Sequence, residues 1–181
     1  RKVTDPHFFP VYEEASRLDM PMCFHTGHPL PAREWDRGFP IIYAFAELVT
    51  SKVPEMFPDL RFGFIESGAS WIPYVLSQLG ATKRTELRGK GVILPHLFDL
   101  DPELFHKNRT FITIDPIDDV ESILKFHTED YLMIGTDYSH TDISANLSGL
   151  NEVRNWAEEG RINNSQAEKI LNTNSRTFYG L

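Results

Sequence analysis

The run Tyr131-Leu-Met-Ile-Gly-Thr-Asp137 decides the fold, because a short apolar stretch closes on a carboxylate and leads into Tyr138-Ser-His140. Three more stretches share that design. Met20-Pro-Met-Cys-Phe-His25 runs into Thr26-Gly27-His28, Leu60-Arg-Phe-Gly-Phe-Ile-Glu66 into Ser67-Gly68, and Thr110-Phe-Ile-Thr-Ile114 into Asp115-Pro116. Short, almost wholly apolar runs bounded by turn residues suit strands covered on both faces. Helical patterns lie between them. One is expected from about Phe9 to Leu18 and another through Ala44 to Met56. Ser70 precedes Trp71-Ile-Pro73, with proline in the first turn, and Tyr74, Val75, Leu76 and Leu79 follow. Asp118-x-x-Glu121 and Ser165-x-x-Glu168 read as capping boxes, and the stretch from Gly89 to Phe105 as a loop with a short helix from Pro102 to Phe105. The alternation of strand and helix predicts an α/β fold with a parallel sheet and right-handed crossovers. Four such units are half of an eight-unit barrel, which needs about 250 residues. On pattern alone, a short open doubly wound sheet stays open as the alternative.

Composition narrows the function. A chain of 181 residues, 41% hydrophobic and 24% charged, is expected to form one globular domain over 1–181. Eighteen basic residues against 26 acidic ones give a net charge of −8, with no Lys/Arg run, so nucleic acid is not an expected partner. The lone Cys23 excludes an internal disulfide framework and fits a reducing, cytoplasmic setting. Its place within an apolar strand reads as buried and structural. The most apolar stretch, Pro40 to Val49, is broken by Glu47 and is far too short to span a membrane. Residues Arg1 to Pro10 show no apolar core of a signal peptide, and the sequence starts without a methionine. No GxGxxG, GxxxxGK[ST] or GxSxG motif is present.

The chemistry sits at the strand ends. Ligands in parallel α/β folds gather at the carboxyl ends of strands. His25, Glu66 and Asp137 each close an apolar run, where a polar side chain is costly unless it is paired or bound to a metal. Imidazole and carboxylate suit zinc, iron or manganese. Each residue also has a plainer reading: His25 as a hydrogen-bonded structural histidine, Asp137 as a helix cap, Glu66 as the partner of an arginine. His28, His7, His96, His106 and His127 are read as ordinary, and Trp71 and Trp156 as core residues. Trp35 lines a pocket or covers the rim.

With those strand ends in view, the sequence resembles the amidohydrolase-related family, in the branch that holds aminocarboxymuconate-semialdehyde decarboxylase. The matching stretches are Phe9-Pro-Val-Tyr-Glu-Glu-Ala15, Pro21-Met-Cys-Phe-His-Thr-Gly27, Phe57-Pro-Asp-Leu-Arg-Phe-Gly63, Gly135-Thr-Asp-Tyr-Ser-His140 and Ile170-Leu-Asn-Thr-Asn-Ser-Arg-Thr-Phe-Tyr-Gly180. The resemblance implies a distorted (β/α)8 TIM barrel of which this chain supplies the C-terminal half, with parallel strands and outer helices. It also implies a divalent metal, zinc or alternatively manganese, held by a His-x-His pair on the first strand, a His after the fifth and an Asp after the eighth. His25 and Asp137 match the last two, and the His-x-His pair is expected upstream of Arg1. At the end of the sixth strand the decarboxylase branch carries a histidine; here Glu66 stands there, and its role as a catalytic group or metal ligand is inferred from this chain alone.

The expected enzyme is a metal-dependent hydrolase of a small carboxylated or cyclic metabolite. Asp137 would move protons beside the metal, and His140, Tyr138 and Arg37 would orient a substrate carboxylate. Non-oxidative decarboxylation at the same site is the alternative, and a catalytically inactive half-barrel is the third reading. Four barrel strands leave two open edges and an exposed apolar interior. The 181 residues are therefore not expected to persist as an isolated monomer. Upstream chain or a partner, with a homodimer expected, covers the edges.

Overall fold

The computed structural model describes residues 1–25, 38–90, 103–126, 128–140 and 145–181. Asp5 opens the chain's first turn by accepting from the His7 amide, and Pro10 sits in the first turn of α1 (Phe9–Arg17), which buries Tyr12 and Ala15. Strand β1 (Met22–His25) follows. Helix α2 (Phe39–Val49) buries Ile41, Phe45 and Leu48, positions spaced at i, i+4 and i+7. The single helix expected through Ala44 to Met56 is two. Ser51 Oγ donates to Leu48 O and accepts from the Val53 amide, closing α2 and opening the short α3 (Val53–Met56), whose Pro54 lies in its first turn.

Strand β2 (Phe62–Ile65) leads to α4 (Ile72–Gly89), and α5 (Leu104–Asn108) precedes β3 (Thr110–Ile114). Then come α6 (Val120–Leu124), β4 (Leu132–Ile134), α7 (Gly149–Glu158), α8 (Asn164–Glu168), one π-helical turn (Lys169–Thr173) and α9 (Asn174–Tyr179). Two caps differ from expectation. Asp119, not Asp118, caps α6 by accepting from the Ser122 amide. The capping box before α8 is Asn163 with Gln166, not Ser165 with Glu168, because the chain enters the helix two residues earlier. Among the described residues, no helix is long and apolar enough to cross a membrane.

Among the described residues the four strands form one sheet in the order β1-β2-β3-β4, every pair parallel. His25 stands opposite Ile65, and Ile114 opposite Ile134, so the four carboxyl ends share one edge of the sheet. Alternation sorts the side chains. Phe62, Phe64, Ile112, Ile114 and Leu132 belong to the main core with Phe45, Leu48, Ile72 and Leu76 of α2 and α4. The opposite face carries Phe111 and Met133, and against them lies the fully buried ring of Phe178 from α9. That ring needs Gly63, since a Cβ there would lie 2.5 Å from Phe178 Cζ. Arg61 moors the helix, donating from Nε to Phe178 O at 2.7 Å and from Nη1 to Asp19 Oδ1 at 2.7 Å. Cys23, expected to be buried, is exposed: it lies on this second face, opposite Gly63 of β2.

Candidate active site

The four polar strand ends gather at one edge of the sheet, as the apolar runs predict. His25 is the last residue of β1, Glu66 and Asp115 directly follow β2 and β3, and Asp137 comes three residues after β4. Glu66 and Asp137 both have left-handed backbone conformations, with φ of 58° and 47°. Such geometry costs a non-glycine residue about 1 kcal/mol or more, and it persists only where neighbours over-determine it. At Glu66 the amide donates to Thr113 Oγ1 on the adjacent strand at 3.1 Å, and at Asp137 the carbonyl accepts from the His140 amide at 3.2 Å. The turns thus lift both carboxylates out of the strand direction toward each other.

Each carboxylate holds an imidazole. Glu66 Oε1 lies 2.9 Å from His25 Nε2, and Asp137 Oδ2 lies 2.6 Å from His140 Nδ1. The carboxylates are the sheltered partners, with side chains 13% and 20% exposed, while both imidazoles are 53% exposed. Glu66, Asp137 and His140 each offer a ligand atom, all within 4.8 Å of one another. His25 is not in that trio and reaches it through Glu66. Two carboxylates and an imidazole are a donor set that one divalent ion can span, and it suits zinc or manganese. The residues present fit such an ion.

A cavity of about 440 Å³ opens beside the trio. Phe39, Ile42, Ile65, Trp71, Pro116 and Ile117 give it apolar walls, and Glu66, Asp115, Asp118 and Asp137 line it too. Among the described residues that line it there is no Lys or Arg. Of the other residues singled out from sequence, Tyr138 is 79% exposed, and Asp115 Oδ1 accepts from the Ile117 amide. Trp71 and Trp156 are buried as expected, though Trp71 also walls the cavity. His106 Nδ1 lies 2.8 Å from Tyr131 Oη, away from the site. Arg37, His28, Trp35, His96 and His127 lie outside the described residues. Sequence reading missed Thr113, which anchors Glu66. Its one signal was a hydroxyl between Ile112 and Ile114 near the carboxyl end of the strand.

No protein-family model matches this sequence, and no curated protein sequence matches it. Solved structures do. An amidohydrolase of Mycobacterium avium subsp. paratuberculosis K-10 aligns over 100% of this chain and 47% of its own, with 20% identity and a TM-score of 0.73. The 5-carboxyvanillate decarboxylase of Sphingomonas paucimobilis aligns over 100% and 55%, with 17% identity and a TM-score of 0.69. A dihydroxybenzoic acid decarboxylase of Polaromonas sp. JS666, solved with bound manganese and an inhibitor, aligns over 99% and 55%, with 16% identity and a TM-score of 0.62. The likeness shows the fold: this chain has the architecture of part of a TIM barrel. It spans about half the length of the structures it matches.

Proposed function

We propose that the chain carries part of the active site of a metal-dependent enzyme that hydrolyses a small carboxylated or cyclic metabolite. The observation that carries this reading is the convergence of Glu66, Asp137 and His140 within 4.8 Å at the carboxyl ends of parallel strands. Glu66, Asp137 and His140 would hold the ion, with His25 against Glu66. A bound divalent ion supplies Lewis acidity, lowering the pKa of a water to about 7 and polarising a substrate carbonyl. Asp137 then accepts a proton at a carboxylate oxygen and returns it to the leaving group. His140 Nδ1, 2.6 Å from Asp137 Oδ2, keeps that carboxylate oriented. Glu66 fixes the tautomer of His25 by accepting from its Nε2. The apolar walls seat the body of a ring and limit water near the reacting atoms.

The second reading is non-oxidative decarboxylation, favoured by the decarboxylases among the solved structures of the same fold. The acidic lining bears on it. A substrate carboxylate meets no Lys or Arg on the described wall, so on this side its charge would be offset by the ion. Zinc is the metal proposed for hydrolysis, with manganese the alternative. The test is to supply the purified full-length protein with zinc or manganese and a panel of cyclic amides, esters and aromatic carboxylic acids. Ring or ester opening supports hydrolysis and CO2 release supports decarboxylation. Turnover indifferent to metal loading contradicts both.

A further inference from the structure

Asp118 is 6% exposed, and among the described residues no Lys, Arg or His is paired with it. Backbone and hydroxyl donors converge on its carboxylate instead. Oδ2 accepts from the Ala69 amide at 2.7 Å and from the Asp115 amide at 2.8 Å, while Oδ1 accepts from the Ser70 amide at 3.0 Å and from Ser70 Oγ. Four donors thus meet the two oxygens of one buried carboxylate.

Those donors belong to two loops. Ala69 and Ser70 follow Glu66 after β2, and Asp115 directly follows β3. The peptide unit between Gly68 and Ala69 is gripped from both ends: its N–H donates to Asp118, and its carbonyl accepts from Trp71 Nε1 at 2.7 Å. Gly68 has φ of 58°, and a Cβ there would lie 3.2 Å from both Asp118 oxygens, so a side chain would both strain the turn and press on the carboxylate. The same turn starts at Glu66, whose amide is tied to Thr113. Glu66 is therefore fixed at its own amide by Thr113 and, three residues on, at the Ala69 amide by Asp118.

We propose that Asp118 is a positioning residue. It straps the β2 and β3 loops together and so holds Glu66 and Asp115 at the wall of the cavity. It acts through the Gly68–Ala69 peptide. The inference rests on the reading of Glu66 as part of the active centre, though the strap itself does not. Asparagine cannot replace it, because an amide nitrogen would face donors that need an acceptor.

The experiment compares Asp118→Asn, Ser70→Ala and Asp119→Ala in the full-length, metal-loaded protein. It reads amide hydrogen exchange, kcat and KM. Asp118→Asn is expected to speed exchange at Ala69 and Ser70 by about tenfold, and to lower kcat by about 10- to 100-fold with KM little changed. Ser70→Ala removes one donor of the four. It keeps the protein readable if Asp118→Asn does not fold, and is expected to shift both readouts the same way by several-fold. Asp119→Ala, which loosens only the cap of α6, should lower stability and leave kcat and exchange at Ala69 unchanged. Wild-type exchange at Ala69 and Ser70 in folded Asp118→Asn or Ser70→Ala overturns the strap. Fast exchange with unchanged kcat overturns its positioning role. A wild-type protein inactive with either metal overturns the proposed function instead, and exchange alone then decides the strap.

Discussion

Glu66 Oε1 lies 2.9 Å from His25 Nε2, a contact between side chains from neighbouring parallel strands whose register sets His25 beside Ile65, one residue short of Glu66. The offset follows from the left-handed turn at Glu66, which swings its side chain back over the end of β1. A carboxylate so placed, and also within ligand spacing of Asp137 and His140, has two uses open to it: moving protons or holding metal.

Glu66→Gln separates those uses, since it keeps the shape and removes the charge. If Glu66 transfers protons, turnover should fall by about 10²- to 10⁴-fold with metal content unchanged. If it is a ligand, metal content should fall with turnover. Normal turnover and metal content together would make it structural.

Asp137→Ala is expected to abolish turnover at any metal concentration, because both a metal ligand and the proton carrier are lost. His25→Ala should behave differently. It removes the partner of Glu66 and weakens metal retention, so excess metal should restore part of the rate. The check is turnover against added metal for both variants.

The C-terminal helix gives a prediction about stability. Gly63→Ala would drive a methyl into Phe178, whose ring is fully buried between β2 and its neighbours. Over-packing of this kind costs about 1–3 kcal/mol, while Phe178→Ala should cost about 3–5 kcal/mol. Because the substituted atoms touch, the double variant should cost less than the sum of the two, which denaturant melts can measure.

Tyr12 gives a pH dependence. Burial pushes its phenol up to about 12, and its hydroxyl donates to Val3 O at 2.7 Å. A phenol that ionises later when folded than when unfolded stabilises the fold fully below about pH 10, its unfolded value. That contribution is lost as pH rises from about 10 through 12. Alkaline melts should show the loss in the wild type and a smaller one in Tyr12→Phe.

Much of this was legible in the sequence because strands buried on both faces leave continuous apolar runs, and a polar residue closing such a run stands out. β3 was read to its residue limits and His25 and Glu66 fell at strand ends, whereas β4, read as running to Asp137, ends at Ile134. Asp118 was not legible. Three of its four donors lie 48 or 49 residues away in sequence, and its local spacing to Glu121 imitates a capping box. Cys23 was misread because alternation tells which residues share a face of the sheet and not which face the helices cover. The pairing of His140 with Asp137 depends on the left-handed turns at Asp137 and Ser139, which the sequence does not announce.

The central claim is that Glu66, Asp137 and His140 form one metal centre. The most direct measurement is metal content per chain of the purified full-length protein, beside that of Asp137→Ala and His140→Ala. The account expects one zinc or manganese per wild-type chain, removed together with turnover by a chelator and restored with it, and substantially less than one in both variants. Stoichiometric metal in all three proteins, or none in an active wild type, would contradict it.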